Sequence, residues 1–333
     1  MTEVSRVVVA PNWLGDCVMA LPVLRAIRRA RPGDGLTVLA RRGAAALFRA
    51  EGSADAVLER SGLLGDARRL RAGRFAEAWL LPNSLRSAIA PWLAGIPVRI
   101  GYDADHRGPL LTHAPRPGSR TEHQLRDYAA LLRSRGIEPD FDPPRLPVTA
   151  KALDRAASAL EAAGVDRDEP LALLAPGAAF GWTKRWPPER YGALGDLLIS
   201  RGHSSAIVIG PGEEHLGASV AAAARARLPV LGADLDPLEL AALFSCARVV
   251  VANDSGPMHI AAAVGTPVVA FFGPTDPGRT APSGSPAKIL DRYVFCSPCF
   301  LKECPYGHEC MKEITVEDAL GAVEDLLNSS LSS

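Results

Sequence analysis

VVVANDSGPMHIAAAVGTPVVAFFGPTDP, residues 249–277, predicts a strand, a turn, a helix and a second strand. The β-branched run at 249–252 is typical of a strand buried in a parallel sheet, and residues 253–257 supply turn formers and helix N-cap residues. A helix over about 258–264 then leads into the strand 267–272. A helix that starts just past a strand offers free N–H groups and partial positive charge, so this stretch is either an ordinary βαβ turn or a phosphate site.

The rest of the chain repeats this plan. Strands alternate with helices through both halves, which predicts an α/β protein with mainly parallel sheets and helices on both faces. The length of 333 residues and the apolar fraction of 47% suit two cores rather than one. Prolines and glycines concentrate in residues 136–148, as in a stiff connection. We therefore predict domains at 1–148 and 149–314, followed by a C-terminal helix and tail at 315–333.

Charge is divided unevenly although the formal net charge is zero. Residues 1–150 hold 22 Lys and Arg against 15 Asp and Glu, and the remainder holds 15 against 22. The first half either meets an anionic partner or simply has a solvated basic surface. The chain shows no signal peptide and no apolar run of roughly 20 residues. We expect a cytoplasmic protein with peripheral membrane contact at most, and no nucleic-acid partner.

Asp16 is the first candidate for chemistry. A strand over residues 6–10 leads into a loop and then a helix with apolar residues along one face. Asp16 lies at the junction of that loop and helix. It either caps the helix, which is the commoner role of such an aspartate, or faces a ligand as a general base.

Two loops of the second half carry further candidates. Residues 176–187 follow a strand and contain two glycines, two prolines, Lys184 and Arg185. Their spacing fits neither a Walker A loop nor a Gly-x-Gly-x-x-Gly fingerprint, which argues against ATP hydrolysis and nicotinamide binding. Glu213 and Glu214 follow the next strand, where an acidic residue suits ribose hydroxyls.

Cysteines crowd into one late segment as Cys296, Cys299, Cys304 and Cys310. In a reducing compartment such spacing favours a metal over disulfides, so a structural zinc is one interpretation. The other is a set of small buried side chains that need no metal.

Four motifs together resemble the lipopolysaccharide heptosyltransferases, and in particular those that add the second heptose of the inner core. They are Asn12-Trp-Leu-Gly-Asp16, Pro176-Gly177 with Lys184-Arg-Trp-Pro187, Asn253-Asp-Ser-Gly-Pro-Met-His259, and Gly273-Pro-Thr-Asp-Pro277. They occur in order across nearly the whole chain. Residues 179 and 180 depart from relatives that carry paired threonines before the lysine.

The resemblance implies a GT-B fold, in which two doubly wound Rossmann-like domains face each other across a cleft. It implies an N-terminal acceptor domain, a C-terminal nucleotide-sugar domain, and inverting heptosyl transfer from ADP-heptose to the lipopolysaccharide inner core without a required cofactor. Asp16 matches the proposed base. The donor- and nucleotide-binding positions that it implies are Lys184, Glu213, Glu214, Asp254, Ser255, Gly256, Pro257, His259, Thr275 and Asp276.

Three alternatives stay open on the sequence. The first is a heptosyltransferase with a different acceptor, and the second is a GT-B sugar-nucleotide epimerase, which needs no acceptor surface. The third is a binding module for an ADP-sugar or lipid without catalysis.

Overall fold

The computed structural model describes residues 4–116, 122–139, 142–166 and 169–329. The chain forms two compact units, Met1–Pro144 and Arg145–Ser333. Each unit has its own parallel sheet. Among the described residues, no helix is both long enough and apolar enough to cross a membrane.

The first unit alternates strands and helices from its start. Its strands are β1 Ser5–Val9, β2 Gly35–Ala40, β3 Ala56–Glu59, β4 Glu77–Leu80 and β5 Val98–Ile100. Its helices are α1 Leu14–Ala30, α2 Arg42–Glu51, α3 Leu63–Ala72, α4 Leu85–Leu93 and α5 Gln124–Arg133.

The first sheet has the strand order β3-β2-β1-β4-β5, and every pair is parallel. Val8 lies in register with Val38 on one side and Trp79 on the other. The chain moves from β1 toward β3 and then crosses to β4 on the opposite side of β1. This reversal makes the carboxyl ends of β1 and β4 the topological switch point, where open α/β sheets bind ligands.

The second unit repeats the plan with an extra strand. Its strands are β6 Leu171–Ala175, β7 Ser204–Val208, β8 Val230–Leu231, β9 Val249–Asn253, β10 Val268–Phe272 and β11 Ala287–Asp291. Its helices are α6 Ala150–Ala163, α7 Pro188–Ser200, α8 Glu214–Ala223, α9 Pro237–Ser245, α10 Gly256–Ala263, α11 Pro277–Thr280, α12 Glu309–Lys312 and α13 Val316–Ser329.

The second sheet has the order β11-β10-β9-β6-β7-β8, with its switch point between β6 and β9. The strands β6, β9 and β10 are buried along their whole length. Trp186, Tyr191 and Phe271 pack together in the core beside them, with ring centroids 4.4 to 5.7 Å apart. The final helix packs on this same core, through residues that include Leu320 and Val323.

The predicted strand, turn, helix and strand over 249–277 are confirmed, with shifted bounds. The helix begins at Gly256, two residues earlier than predicted, because Pro257 has the fixed φ that suits a first helical turn. A capping arrangement precedes the last helix: Thr315 Oγ1 accepts the Asp318 N–H, and the Asp318 carboxylate accepts the Thr315 N–H. Strand β11 was not predicted.

Candidate active site

The predicted donor residues of the second unit lie at the carboxyl edge of its sheet. They come from the loops and first helical turns after four adjacent strands, β10, β9, β6 and β7, so they surround the switch point. The structure therefore brings together residues that are up to about 100 positions apart in sequence.

Lys184 and Asp254 form the charged centre of this edge. Lys184 Nζ lies 2.5 Å from Asp254 Oδ2, and the pair is largely buried, with side-chain exposures of 13% and 5%. Thr275 Oγ1 donates to the same carboxylate at 2.7 Å, and Thr280 Oγ1 donates to its other oxygen at 3.3 Å. The Phe180 ring lies 5.0 Å from Lys184 Nζ, at the distance of a cation–π contact. Asp254 therefore fixes the position of the lysine.

Ser255 is the N-cap residue of α10, yet its hydroxyl caps nothing. Ser255 Oγ is buried and has no hydrogen-bond partner among the described residues. Gly256 and Pro257 form the first turn of the helix beyond it, and His259 is buried in the same helix. Since an unsatisfied buried hydroxyl is costly, this side chain at a helix N-terminus is a candidate to hydrogen-bond a ligand or an ordered water.

The two acidic candidates after β7 differ in position. Glu213 Oε2 accepts the Gly210 N–H at 2.9 Å, and its carboxylate lies against Gly177, where an added Cβ would be only 2.2 Å from Glu213 Oε2. Glu214 is exposed and accepts the Gly212 N–H. Of the two, only Glu213 reaches the Pro176-Gly177 loop.

Thr275 and Asp276 have different hydrogen-bond partners. Thr275 is buried and bound to Asp254, whereas Asp276 is the N-cap of α11 and accepts the Gly278 N–H at 2.8 Å. Asp276 therefore has a structural role in the described chain, since its carboxylate shapes the loop after β10.

Asn253 holds the loops of this edge together, and it was not among the predicted site residues. It is fully buried at the end of β9. Its Oδ1 accepts the Trp186 N–H at 2.9 Å and the Tyr191 hydroxyl at 3.2 Å, while Nδ2 donates to Pro176 O at 2.7 Å. One side chain thus ties the loop containing Lys184 to the central strand.

Replacing Asn253 with alanine is expected to lower the free energy of unfolding by about 3 kcal/mol, because three buried polar groups each lose a hydrogen bond. Chemical denaturation of the purified variant measures this. Glu303→Ala, an exposed side chain of the same unit, is the control and should stay within about 0.5 kcal/mol of the parent protein. An Asn253→Ala protein as stable as this control would contradict the assigned role.

In the first unit, Asp16 lies in the first turn of α1, just past β1 and at that sheet's switch point. The N-cap position belongs to Trp13 instead. Asp16 is half-buried and close enough to affect its neighbours electrostatically. Burial, and then the Asp16 carboxylate, raises the pKa of Cys17 to about 12, and the same two causes raise the pKa of Tyr128.

Arginines that were not predicted surround this carboxyl edge. Arg41 follows β2, Arg60 follows β3, and Arg86 lies in the first turn of α4 after β4. Arg60 Nη1 donates to Asn12 Oδ1 at 3.0 Å, but its Nε is buried without a hydrogen-bond partner in the described chain. Burial lowers the pKa of Arg60; the Asp66 carboxylate opposes this effect, and the charges of Arg41 and Arg86 add to it. An anion at this edge would relieve their mutual repulsion.

The four cysteines line one cavity at the end of the second unit, together with Thr183 and His308. All four are free thiols. In the described part of the chain, however, no group of three or more His, Cys, Asp and Glu side chains is placed so that it could hold a metal ion. The loop still has a clear structural task, because His308 Nε2 donates to Thr183 O and Thr183 Oγ1 donates to Leu301 O, beside Lys184.

Curated proteins of known name resemble the chain over nearly its whole length. The chain is 29% identical to lipopolysaccharide heptosyltransferase 2 of Salmonella typhimurium, covering 96% of this chain and 98% of that protein. It is 27% identical to lipooligosaccharide heptosyltransferase 2 of Haemophilus influenzae, again over 96% and 98%.

Two solved structures share the fold over nearly their whole length. The ADP-heptose lipopolysaccharide heptosyltransferase II of E. coli matches with a TM-score of 0.83 and 25% identity, over 98% of this chain and 99% of that chain. A family 9 glycosyl transferase from Veillonella parvula matches with a TM-score of 0.85 and 22% identity, over 98% of both chains. The expected GT-B class, with two doubly wound α/β units, is confirmed. Residues 66–309 match the model of glycosyltransferase family 9 (heptosyltransferase), and the chain belongs to that family.

Proposed function

We propose that the protein is an inverting heptosyltransferase of the heptosyltransferase II type. It moves L-glycero-D-manno-heptose from ADP-heptose to the heptosyl-Kdo-lipid A inner core during lipopolysaccharide core synthesis. Membership of the family and the names of the most similar relatives support the reaction class. The observation that carries the proposal is the buried Lys184–Asp254 pair beside the unsatisfied Ser255 hydroxyl, at the carboxyl edge of the second sheet.

The donor occupies this edge of the second unit in our proposal. Lys184 and the N–H groups at the start of α10 stabilise the negative charge that develops on the departing ADP. The Asp254 carboxylate is negatively charged, as the diphosphate is, and like charges repel. Asp254 therefore orients Lys184 and does not contact the diphosphate directly. The carboxylate of Glu213, which lies against Gly177, binds the ribose hydroxyls in this proposal, and that of Glu214 does not. These groups supply the charge stabilisation without a required cofactor.

The acceptor is assigned to the carboxyl edge of the first unit. An acceptor hydroxyl gives its proton to the Asp16 carboxylate while its oxygen attacks the anomeric carbon of the heptose. The bond from that carbon to the ADP oxygen breaks on the opposite side, which inverts the configuration. Arg41, Arg60 and Arg86 are positioned to bind carboxylate or phosphate groups of the acceptor.

Incubation with ADP-heptose, with and without a heptose-truncated lipopolysaccharide, tests the reaction class. Release of ADP that requires the acceptor indicates a transferase. A changed sugar nucleotide without acceptor would indicate an epimerase, and binding without turnover would indicate a binding module. Lipopolysaccharides truncated at other positions identify a family member with a different acceptor.

We place this reaction in the cytoplasm, with the protein in peripheral contact with the inner membrane, because its proposed acceptor is a lipid. None of the described helices can cross a membrane, so the protein would reach the lipid-linked sugar from the membrane surface. Fractionation of cells should recover the protein partly with membranes and release it with high salt.

The zinc hypothesis stays a prediction for the cysteine loop. Four thiols around one cavity would serve a structural zinc if they turned toward a common point. A zinc held by this loop would give about one zinc per chain in elemental analysis of protein purified without chelator, and less in Cys296→Ser. Cys246→Ser, a cysteine outside this cavity, is the control. Zinc well below one per chain in the parent protein would remove the hypothesis.

A further inference from the structure

Two helices on one side of the first sheet form an exposed surface that the reaction does not use. We call the outer surface of α3 and α4 the α3–α4 face. The inner sides of both helices are packed into the core of the first unit, through residues such as Leu70 and Ala88. Their outer side carries three large hydrophobic residues with high exposure: Leu64 (65%), Leu85 (38%) and Trp92 (48%).

These residues are unusual within their unit. In its described part, the only other large hydrophobic side chain with comparable exposure is Trp13, next to Asp16. Leu85, Ile89 and Trp92 follow the helical spacing i, i+4, i+7 and lie on one stripe of α4. An apolar stripe with this spacing is expected to be covered by something.

Basic residues accompany the apolar stripe. Arg68 and Arg71 share the helical spacing of Leu64 on α3, and all three are exposed. Arg71 Nη2 donates to Leu93 O at 2.6 Å, so the two stripes lie side by side. Arg68 forms no ion pair with any residue that the structure describes. Asp105 is an exposed acidic residue at the N-terminal end of α4, where its carboxylate accepts the Leu85 N–H.

One end of the α3–α4 face lies near the sheet edge that carries Asp16. Helices α3 and α4 begin just past the carboxyl ends of β3 and β4, so Leu64 and Leu85 lie toward the edge that carries Asp16. Trp92 is seven residues beyond Leu85, which is roughly 10 Å further along the helix. The face therefore starts at the proposed acceptor site and runs away from it.

A membrane containing anionic phospholipids fits these features. Tryptophan prefers the headgroup region, leucine reaches the upper acyl chains, and arginines without acidic partners attract anionic lipid. A purely apolar protein partner would leave the arginine charges uncompensated. We propose that the α3–α4 face docks on an anionic phospholipid surface and brings the Asp16 edge to the level of lipid-linked sugars. This inference rests on the proposed function for its acceptor, although the surface itself can be tested without one.

Vesicle co-sedimentation of the full chain tests the docking. The parent protein should bind phosphatidylcholine vesicles that contain phosphatidylglycerol, and bind pure phosphatidylcholine vesicles at least about tenfold more weakly. Two double variants, Leu64→Ser/Trp92→Ser and Arg68→Glu/Arg71→Glu, should each lose about tenfold or more in vesicle binding. Their turnover with an acceptor fragment that lacks acyl chains should stay within about twofold of the parent value.

Matched changes in the second unit are the controls. Leu153→Ser alters an exposed leucine, and Lys151→Glu/Arg248→Glu reverses two exposed charges. Controls that lose as much binding as the face variants would overturn the proposal. So would face variants that bind normally, or a dimer that the face variants dissociate, because a second copy would then cover the face. If no acceptor fragment is ever glycosylated, the proposed function fails while vesicle binding still decides the docking.

Discussion

Replacing Asp16 with asparagine is expected to lower the rate of heptosyl transfer by about 10²–10⁴, the usual contribution of a general base. Asparagine has nearly the same shape but cannot accept the proton of the acceptor hydroxyl. The affinity for ADP should stay within about twofold, because the proposed donor residues lie in the second unit. Single-turnover kinetics, together with calorimetric measurement of ADP binding, separate the two effects.

The pH profile and a control variant sharpen this test. In the parent protein the rate should fall as acid protonates the base, and the Asp16→Asn protein should lose that limb of the profile. Asp142→Asn removes an exposed carboxylate of the same unit that pairs with Arg29, and it should leave the rate unchanged. Nearly full turnover in Asp16→Asn, with ADP still bound, would show that another group is the base.

Replacing Lys184 with alanine is the second large effect that we expect. The change removes the cation proposed for the diphosphate and leaves the Asp254 carboxylate buried without its partner. Breaking a buried pair in this way typically costs about 3–5 kcal/mol of stability. We also expect ADP affinity to fall by about tenfold or more, since a charge-assisted hydrogen bond is lost.

A double variant separates the structural effect from the binding effect. Lys184→Met/Asp254→Asn removes both charges, so stability should largely return while ADP affinity stays low. Lys302→Ala is the matched control, because Lys302 also lies over the Phe180 ring, 5.6 Å from its centroid, but is exposed. Parent-like ADP affinity in the double variant would show that Lys184 only balances the charge of Asp254.

Local sequence patterns predicted the architecture well. The run of valines before Asn253 and the turn residues after it required a buried strand and a helix start, and both are present. Strand β11 was missed because Ala287–Asp291 lies at the edge of its sheet and two of its five residues, a lysine and an aspartate, are charged. An edge strand pairs with only one neighbouring strand, so its sequence is less constrained and its pattern of apolar residues is weaker.

The site was predicted less completely, because its contacts join distant parts of the chain. The sequence indicated Lys184 and Asp254 separately but gave no reason to pair residues 70 positions apart. It also left Glu213 and Glu214 equivalent, whereas the fold places only the first against Gly177. Arg41 and Arg60 each follow the end of a strand, a signal that becomes specific only once the strands are aligned in a sheet. The sequence predicted Asn253 as a turn residue, and only the structure shows its three buried hydrogen-bond partners.

The most direct measurement compares two acceptors in the presence of ADP-heptose. One is Kdo-lipid A that already carries a single heptose, and the other is Kdo-lipid A without heptose. We predict ADP release with the first acceptor, together with a product heavier by one heptose and inverted at the new linkage, and little release with the second. Equal use of both acceptors, or conversion of ADP-heptose with neither present, would contradict transfer to the heptosylated inner core.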